Sequence, residues 1–499
     1  MKTFTFLAHN ITKITHLLTF FLEIGIRGGG IIKVHIYVLK GENMKKLLTV
    51  LLALLMVLTL AGCGAKEEAT PAEDGGKVKV NIMSFTDEVP GMFDKFLKLH
   101  PEYAEKYEPN VTIIATTDGL YQPALDEALA AQDENTPDIY VCEAAFVLKY
   151  AQGDAAQYAA AYEDLGIEVA NATKAAEIAQ YTIDIGTRPA DGKVVGLGYQ
   201  CNGGVFIYRR SIANAVWGTD DPAVVAEKIG TGSGTWDKFW EAAEEVKAAG
   251  YKIISGDGDM WHAVENSSST GWLVNGNELN LPKEREEFLD LSKKLVDGGY
   301  HNDTADWQEG WFADMKKSGT ALGFYGPCWL INYTLAPNCG EGTDDSSFGD
   351  WAVCAPNIGF FWGGTWLFAG KTAVGSEKQQ VVADFIKWVT LDTDAEALQT
   401  KWANGTLNGE GGTPDSVASG KVMATANGKT AFCGDQNVFE AFIPANQLAN
   451  GQNLTQYDER INTLWRESVK AYAHGQIDKE TAIAQWKQNV AAEFDVVVK

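Results

Sequence analysis

Three tryptophans and three carboxylates stand where the local sequence would present them rather than bury them. Trp329 follows the Gly326-Pro327 turn, which fixes the backbone where an apolar run ends, so its ring would sit at an edge of the fold. Trp261 follows Gly256-Asp257-Gly258-Asp259, a run too flexible to be chosen for packing alone. Trp362 precedes Gly363-Gly364, where missing side chains would let a ligand approach the backbone. Asp87, Glu88 and Glu143 each fall just past a strand pattern, the position at which open α/β sheets bind ligands. A flat ring covers the apolar C–H face of a sugar, and a carboxylate accepts hydrogen bonds from two neighbouring hydroxyls. The plainer alternative is that the indoles are core and the carboxylates simply solvated.

Other chemistries find little support. There is no HExxH, no GxSxG and no P-loop, and Gly230 to Gly234 reads as the loop before a helix capped by Thr235. The histidines are scattered, and Asp257 and Asp259 lack the remaining ligand spacing of a calcium loop, so neither metal nor cofactor is expected. A secreted carbohydrate-active enzyme stays open as an alternative, because it would use similar aromatics with two carboxylates about 5 to 9 Å apart. Cys142, Cys201, Cys328, Cys339, Cys354 and Cys433 show no CxxC or zinc spacing; only Cys339 with Cys354 is a candidate pair.

Cys63 points to a different chemistry. Met44-Lys45-Lys46 is a positive start, Leu47 to Leu60 an unbroken apolar run, and Ala61-Gly62 a small-residue cleavage region. Fourteen apolar residues are too few to span a bilayer, where about 20 are needed. Leu60-Ala61-Gly62-Cys63 resembles the bacterial lipobox, in which the cysteine sulfur takes a diacylglyceryl group and the signal is cut just before it. Residues 44–62 therefore read as a lipoprotein signal peptide and 63–76, rich in Ala, Glu, Gly, Lys and Thr, as a tether that cannot bury a core. Residues 1–43 precede a complete signal and read as a mis-called extension, since Lys40 to Asn43 can be encoded as a ribosome-binding site before the Met44 codon.

The chain has 499 residues, of which 437 follow the proposed cut, enough for two lobes. Residues 1–62 hold seven of its 41 Lys and Arg and two of its 66 Asp and Glu, so the remainder carries a formal charge of −30. That balance repels phosphate backbones and excludes nucleic acid as a partner. Fifteen Trp, seventeen Tyr and twenty-two Phe suit a carbohydrate site, although most must be core.

Elements to position these groups are legible in order. Val78, Val80 and Ile82 alternate with polar residues, Met92, Phe93, Phe96, Leu97 and Leu99 recur at helical spacing, and Val111 to Ile114 returns to a β-branched run. Pro123 to Ala131 predicts a helix and Asp138 to Cys142 the next strand. This alternation predicts parallel sheets covered on both faces. Thr235 predicts a helix start closed by Gly250, Ser376 with Gln379 a capping box, and Tyr457 onward two helices parted near Gly475, the second starting at Asp478.

Several segments in order resemble the extracellular solute-binding proteins of ABC importers, in the carbohydrate-binding group that includes maltose-binding protein. They are VKVNIMSFTDE at Val78 to Glu88, TPDIYVCEAAF at Thr136 to Phe146, DGKVVGLGYQCNGGVFIYRRSI at Asp191 to Ile212, GTWDKFWEAAEEVKAAG at Gly234 to Gly250, GTALGFYGPCWLINY at Gly319 to Tyr333 and the stretch Gly359 to Thr390. The resemblance covers nearly all of the chain after Cys63. It implies an α/β fold of the periplasmic-binding-protein type II, with two lobes, 77–198 plus 366–416 and 199–365 plus 417–499, and ligand in the cleft between them. It also implies capture of a sugar or oligosaccharide by a monomer at the extracellular face, delivery to ABC permease subunits, and no catalysis. A non-sugar solute is the alternative that the same fold allows. Asn202 and Asp435 join the candidate site only through this resemblance.

Overall fold

A computed structural model of the chain describes residues 17–26, 30–39, 76–116, 119–409 and 411–499. Contacts divide the chain into Met1–Gly76 and Lys77–Lys499. In the first unit Leu17–Ile26 pairs antiparallel with Gly30–Leu39. The apolar run 47–60, Cys63 and the tether as far as residue 75 lie outside the described residues. Among those described, no helix is long and apolar enough to cross a membrane.

In the second unit, period-two alternation of apolar residues builds two sheets. In chain order the strands are β1 Val78–Ser84, β2 Tyr107–Ile113, β3 Ile139–Glu143, β4 Gly196–Gly198, β5 Val205–Arg209, β6 Lys252–Ile254, β7 Ala321–Gly326, β8 Trp351–Cys354 and β9 Thr365–Ala369. One sheet runs β2-β1-β3-β9-β4 and the other β6-β7-β5-β8. Along β3, Ile139 and Val141 enter one apolar cluster while Tyr140 and Cys142 enter another on the opposite face. Along β5, Val205 and Ile207 face the first of these clusters, and Phe206 and Tyr208 a third that contains Trp272, Trp465 and Trp486. Both faces are covered, as the apolar strand patterns predict.

The expectation of parallel sheets is corrected in part. β1 is parallel to β2 and β3, and β6 to β7, but β9 runs antiparallel to both β3 and β4, and β5 antiparallel to β7 and β8. The chain path explains this: between β4 and β5 it leaves the first sheet for the second, and between β8 and β9 it returns, so β9 re-enters from the opposite end.

Local signals fare unevenly. Helix Glu88–Leu99 buries Met92, Phe93, Phe96 and Leu97 as their spacing predicts, with Val89 on the same stripe, but Leu99 at its end is exposed. Thr235 does not cap its helix, which starts at Asp237; the Thr235 hydroxyl bonds the Asp237 carboxylate instead, at 3.2 Å. At the other end the Tyr251 and Gly250 amides close the helix on Val246 and Lys247, as a glycine of φ 90° allows. Ser376 and Gln379 bond the Lys378 and Gly375 amides, but the helix begins at Gln379, so they shape the turn before it. Cys339 and Cys354 are free and buried, which corrects their candidate pairing. Asp478 does cap Lys479–Glu493, accepting from the Thr481 amide at 2.8 Å. Asp478→Ala is therefore expected to lower the urea midpoint of unfolding, since the Thr481 amide loses its acceptor.

Candidate functional site

β3 ends at Glu143, and Thr365 of β9 lies opposite it in register. The Ala144 amide donates to the Gly364 carbonyl at 2.9 Å, so the strand-end carboxylate is fixed beside the crossing that returns from the second sheet. Trp362 and Gly363 lie on that crossing. Gly363 and Gly364 have φ of 71° and 118°, a backbone that residues with a Cβ rarely adopt. A Cβ on Gly363 would come within 3.2 Å of Trp329 Nε1, and one on Gly364 within 2.5 Å of Asn202 Nδ2. Protein side chains thus take part of the space that the missing Cβ atoms leave, while Gly363 also lines the cavity described below.

Trp329 stands three residues past the end of β7, on the short helical turn Cys328–Leu330 that runs into the π-helical Ile331–Leu335. Its indole N–H donates to the Trp362 carbonyl at 3.1 Å, and the two rings meet edge to face at 4.8 Å. Trp307 lies nearly parallel to Trp329, with ring centroids 6.1 Å apart, and is 51% exposed. Its φ of 65° is strained for a residue with a Cβ, and strain of this kind collects at functional sites. His262 stacks on Trp362 at 3.7 Å.

A cavity of about 710 Å³ opens over these rings, a size suited to a small ligand. Glu143, Trp261, Trp329 and Trp362 all line it. Trp261 contributes only an edge, because it is 3% exposed and packs on Phe288 at 5.0 Å. The glycines before Trp261 are not a flexible loop: a Cβ on Gly256 would strike the Thr304 carbonyl, and on Gly258 the Asp306 carboxylate. Asp257 and Asp259 have protein partners, the first Arg466 and Ser292 and the second the Gly256 and Tyr325 amides.

Asp87 and Glu88 line a different cavity, of about 540 Å³, together with Tyr333 and Trp402. Asn202 is 2% exposed behind Gly364, with its Nδ2 unbonded, and Asp435 is an exposed turn residue with φ 62°. Neither lines either cavity. Sequence reasoning missed Trp307, His262 and the carboxylates of Glu265, Asp458 and Glu459 that complete the larger wall. A tryptophan in the polar run Asn302 to Gln308 was the available signal for the first. Glu459 sits in the first turn of Asp458–Ala473, and nothing local distinguishes it from an ordinary helix start.

Burial pushes Glu143 up to about 7; the Ala145 amide resists this, and the charges of Glu459 and Glu265 reinforce it. Burial likewise raises Glu265 and Glu459, and takes Asp458 up to about 6. In the second cavity burial pushes Glu88 up to about 7, against a hydrogen bond from Tyr199 and with the charges of Asp415 and Asp87. A carboxyl whose pKa is raised by folding binds its proton more tightly in the native state, so its contribution to stability falls as pH rises between its ordinary value and about 7. Glu88→Gln is expected to stabilise the protein at pH 8 by on the order of 1 kcal/mol and to flatten its stability between pH 5 and 7. Urea unfolding at pH 5 and pH 8 reads this, and equal effects at both would contradict it.

Comparison with known proteins accords with this architecture. The model of a family described as bacterial extracellular solute-binding protein matches residues 98–430, more than half of the chain. A solved structure of an extracellular solute-binding protein family 1 member superposes with TM-score 0.67 at 18% identity, covering 83% of this chain and all but 1% of that one, which it matches over 99%. The binding protein associated with an ABC transporter from B. animalis subsp. lactis Bl-04, in complex with beta-1,6-galactobiose, gives 0.57 at 19% identity over 85% of this chain and 100% of that one. The galacto-N-biose-/lacto-N-biose I-binding protein from Bifidobacterium longum gives 0.60 at 16% over 86% and 100%. No protein in the curated sequences matches. At such identities the structures establish a shared fold, and the family match establishes kinship: the chain belongs to the bacterial extracellular solute-binding proteins.

Proposed function

We propose that the protein captures a sugar or oligosaccharide in the Trp329 cavity and delivers it, unaltered, to the permease of an ABC importer. The observation that carries this reading is the grouping of Trp307, Trp329 and Trp362 with Glu143 in one cavity, where the return crossing passes the end of β3. Stacking faces and hydroxyl acceptors are what a pyranose requires. The three solved relatives described above support it, since two of them are sugar-binding proteins of ABC transporters. Retained family character favours binding over turnover.

In this reading the lobes are residues 77–198 plus 366–416 and 199–365 plus 417–499, and the open form exposes a half-site on each. A ligand that touches both lobes must favour closure by roughly 5.5 kcal/mol to move the population from 1:99 to 99:1. Two stacked rings and a few hydrogen bonds supply that much. The permease would read the closed form. Export by residues 44–62 and diacylglyceryl transfer to Cys63 would hold the receptor at the outer face of the cell membrane, where the tether raises its effective concentration at the permease. Asp87 and Glu88 would serve an extended ligand from the neighbouring cavity; Asn202 would act only by supporting Gly364.

Intrinsic tryptophan fluorescence of the Lys77–Lys499 unit, titrated with oligosaccharides, tests the binding step. A saturable change of intensity is expected, and a flat response across mono-, di- and trisaccharides would contradict it. Cys63→Ser is expected to shift the protein from the membrane fraction to the medium.

A further inference from the structure

The wall of the Trp329 cavity is not neutral. Glu143, Glu265, Asp458 and Glu459 all line it, against one lining arginine, Arg466. That arginine is committed, since it pairs with Asp257 at 2.8 Å and lies 3.9 Å from Asp306. Arg285, behind the wall, stands 3.9 Å from Asp458 and donates to the Glu265 backbone carbonyl. His262 lies between Glu265 at 4.0 Å and Asp306 at 3.4 Å. Among these groups six carboxyl groups stand against two arginines and one imidazole.

The imbalance is felt at the site. Burial raises Glu143, Asp458 and Glu459, and neighbouring charge adds to it: Glu459 and Glu265 act on Glu143, and Glu265 on Glu459 and Asp458. His262 is 8% exposed, lines the cavity, and has neither ring nitrogen in a hydrogen bond. Asp458 Oδ2 is likewise buried without a hydrogen-bond partner. Indole faces beside the carboxylates attract a cation as well as a sugar ring.

We propose that the ligand of this cavity is an amino sugar, its pyranose on the tryptophans and its protonated amine among Glu143, Glu265 and Glu459. This rests on the sugar-binding reading and adds a charge to it. A neutral sugar leaves the carboxyl groups buried beside one another, whereas an ammonium group satisfies them and releases a proton that burial and mutual repulsion had held. The charge preference therefore depends on pH and on salt.

The test is calorimetry of the full-length chain with paired disaccharides of glucosamine and of glucose, in β-1,4, α-1,4 and β-1,6 linkage, with spermidine as a non-sugar cation. At pH 7 the expected result is at least tenfold tighter binding of an amino disaccharide than of its neutral counterpart, with proton release seen as a heat that differs between phosphate and Tris buffers. Glu143→Gln is expected to reduce the preference to less than twofold and to abolish the proton release, and 0.5 M salt to weaken only the amino sugar. Equal or tighter binding of the neutral partner overturns this inference and leaves sugar binding standing. A preference that survives both Glu143→Gln and Glu459→Gln overturns it too. Binding of spermidine alone, or of nothing in the panel, overturns both readings.

Discussion

Trp329→Ala is expected to weaken sugar binding by about a hundredfold while leaving the fold intact. The ring is half-buried, holds the Trp362 carbonyl through its N–H, and lies between Trp362 and Trp307. Its removal takes away a stacking surface and loosens both neighbours, together worth about 2 to 3 kcal/mol of binding. The stability loss is smaller, because the ring flanks an open cavity instead of filling a core. Titration of the variant with the preferred sugar, alongside near-UV circular dichroism to confirm native packing, checks this. Undiminished affinity would remove Trp329 from the site.

Asp350→Ala should give the largest loss of stability, about 3 kcal/mol. Arg209 ends β5 with its side chain 2% exposed, its Nε bonded to the Asp350 carboxylate at 2.8 Å and its guanidinium over the Trp351 ring at 5.4 Å. Without Asp350 the charge keeps only the Lys316 carbonyl as a polar partner, at 2.7 Å, and an uncompensated buried charge is costly. Asp350 also binds the Ser211 amide at 2.8 Å, next to the helix Arg210–Trp217, so part of the loss is local. Urea unfolding measures the sum. The double variant Arg209→Met, Asp350→Ala should recover much of it, since no buried charge remains.

The contrast between these positions shows what the sequence could reveal. Strand patterns such as Val78 to Ile82 and the stripe from Val89 to Leu97 record burial directly, because period two and period 3.6 are imposed by the backbone. Strand direction is not recorded that way. The antiparallel β9 follows from where the chain crosses, which no local residue encodes. Glu143 and Trp329 are legible because one closes a strand and the other stands just past one. Trp307, His262 and Glu459 reach the same cavity from separate elements, and only the folded chain shows them converging. At Gly363 and Gly364 the missing Cβ is legible in the sequence, but that Trp329 and Asn202 lie against that space shows only in the folded chain.

Isothermal titration of the Lys77–Lys499 unit with an oligosaccharide panel, followed by chromatographic recovery of the sugar, tests the central claim most directly. One saturable site per chain with the sugar recovered unchanged is the predicted result. A shortened sugar in the recovered material, or no heat with any member of the panel, would contradict the assignment of this cavity to sugar capture.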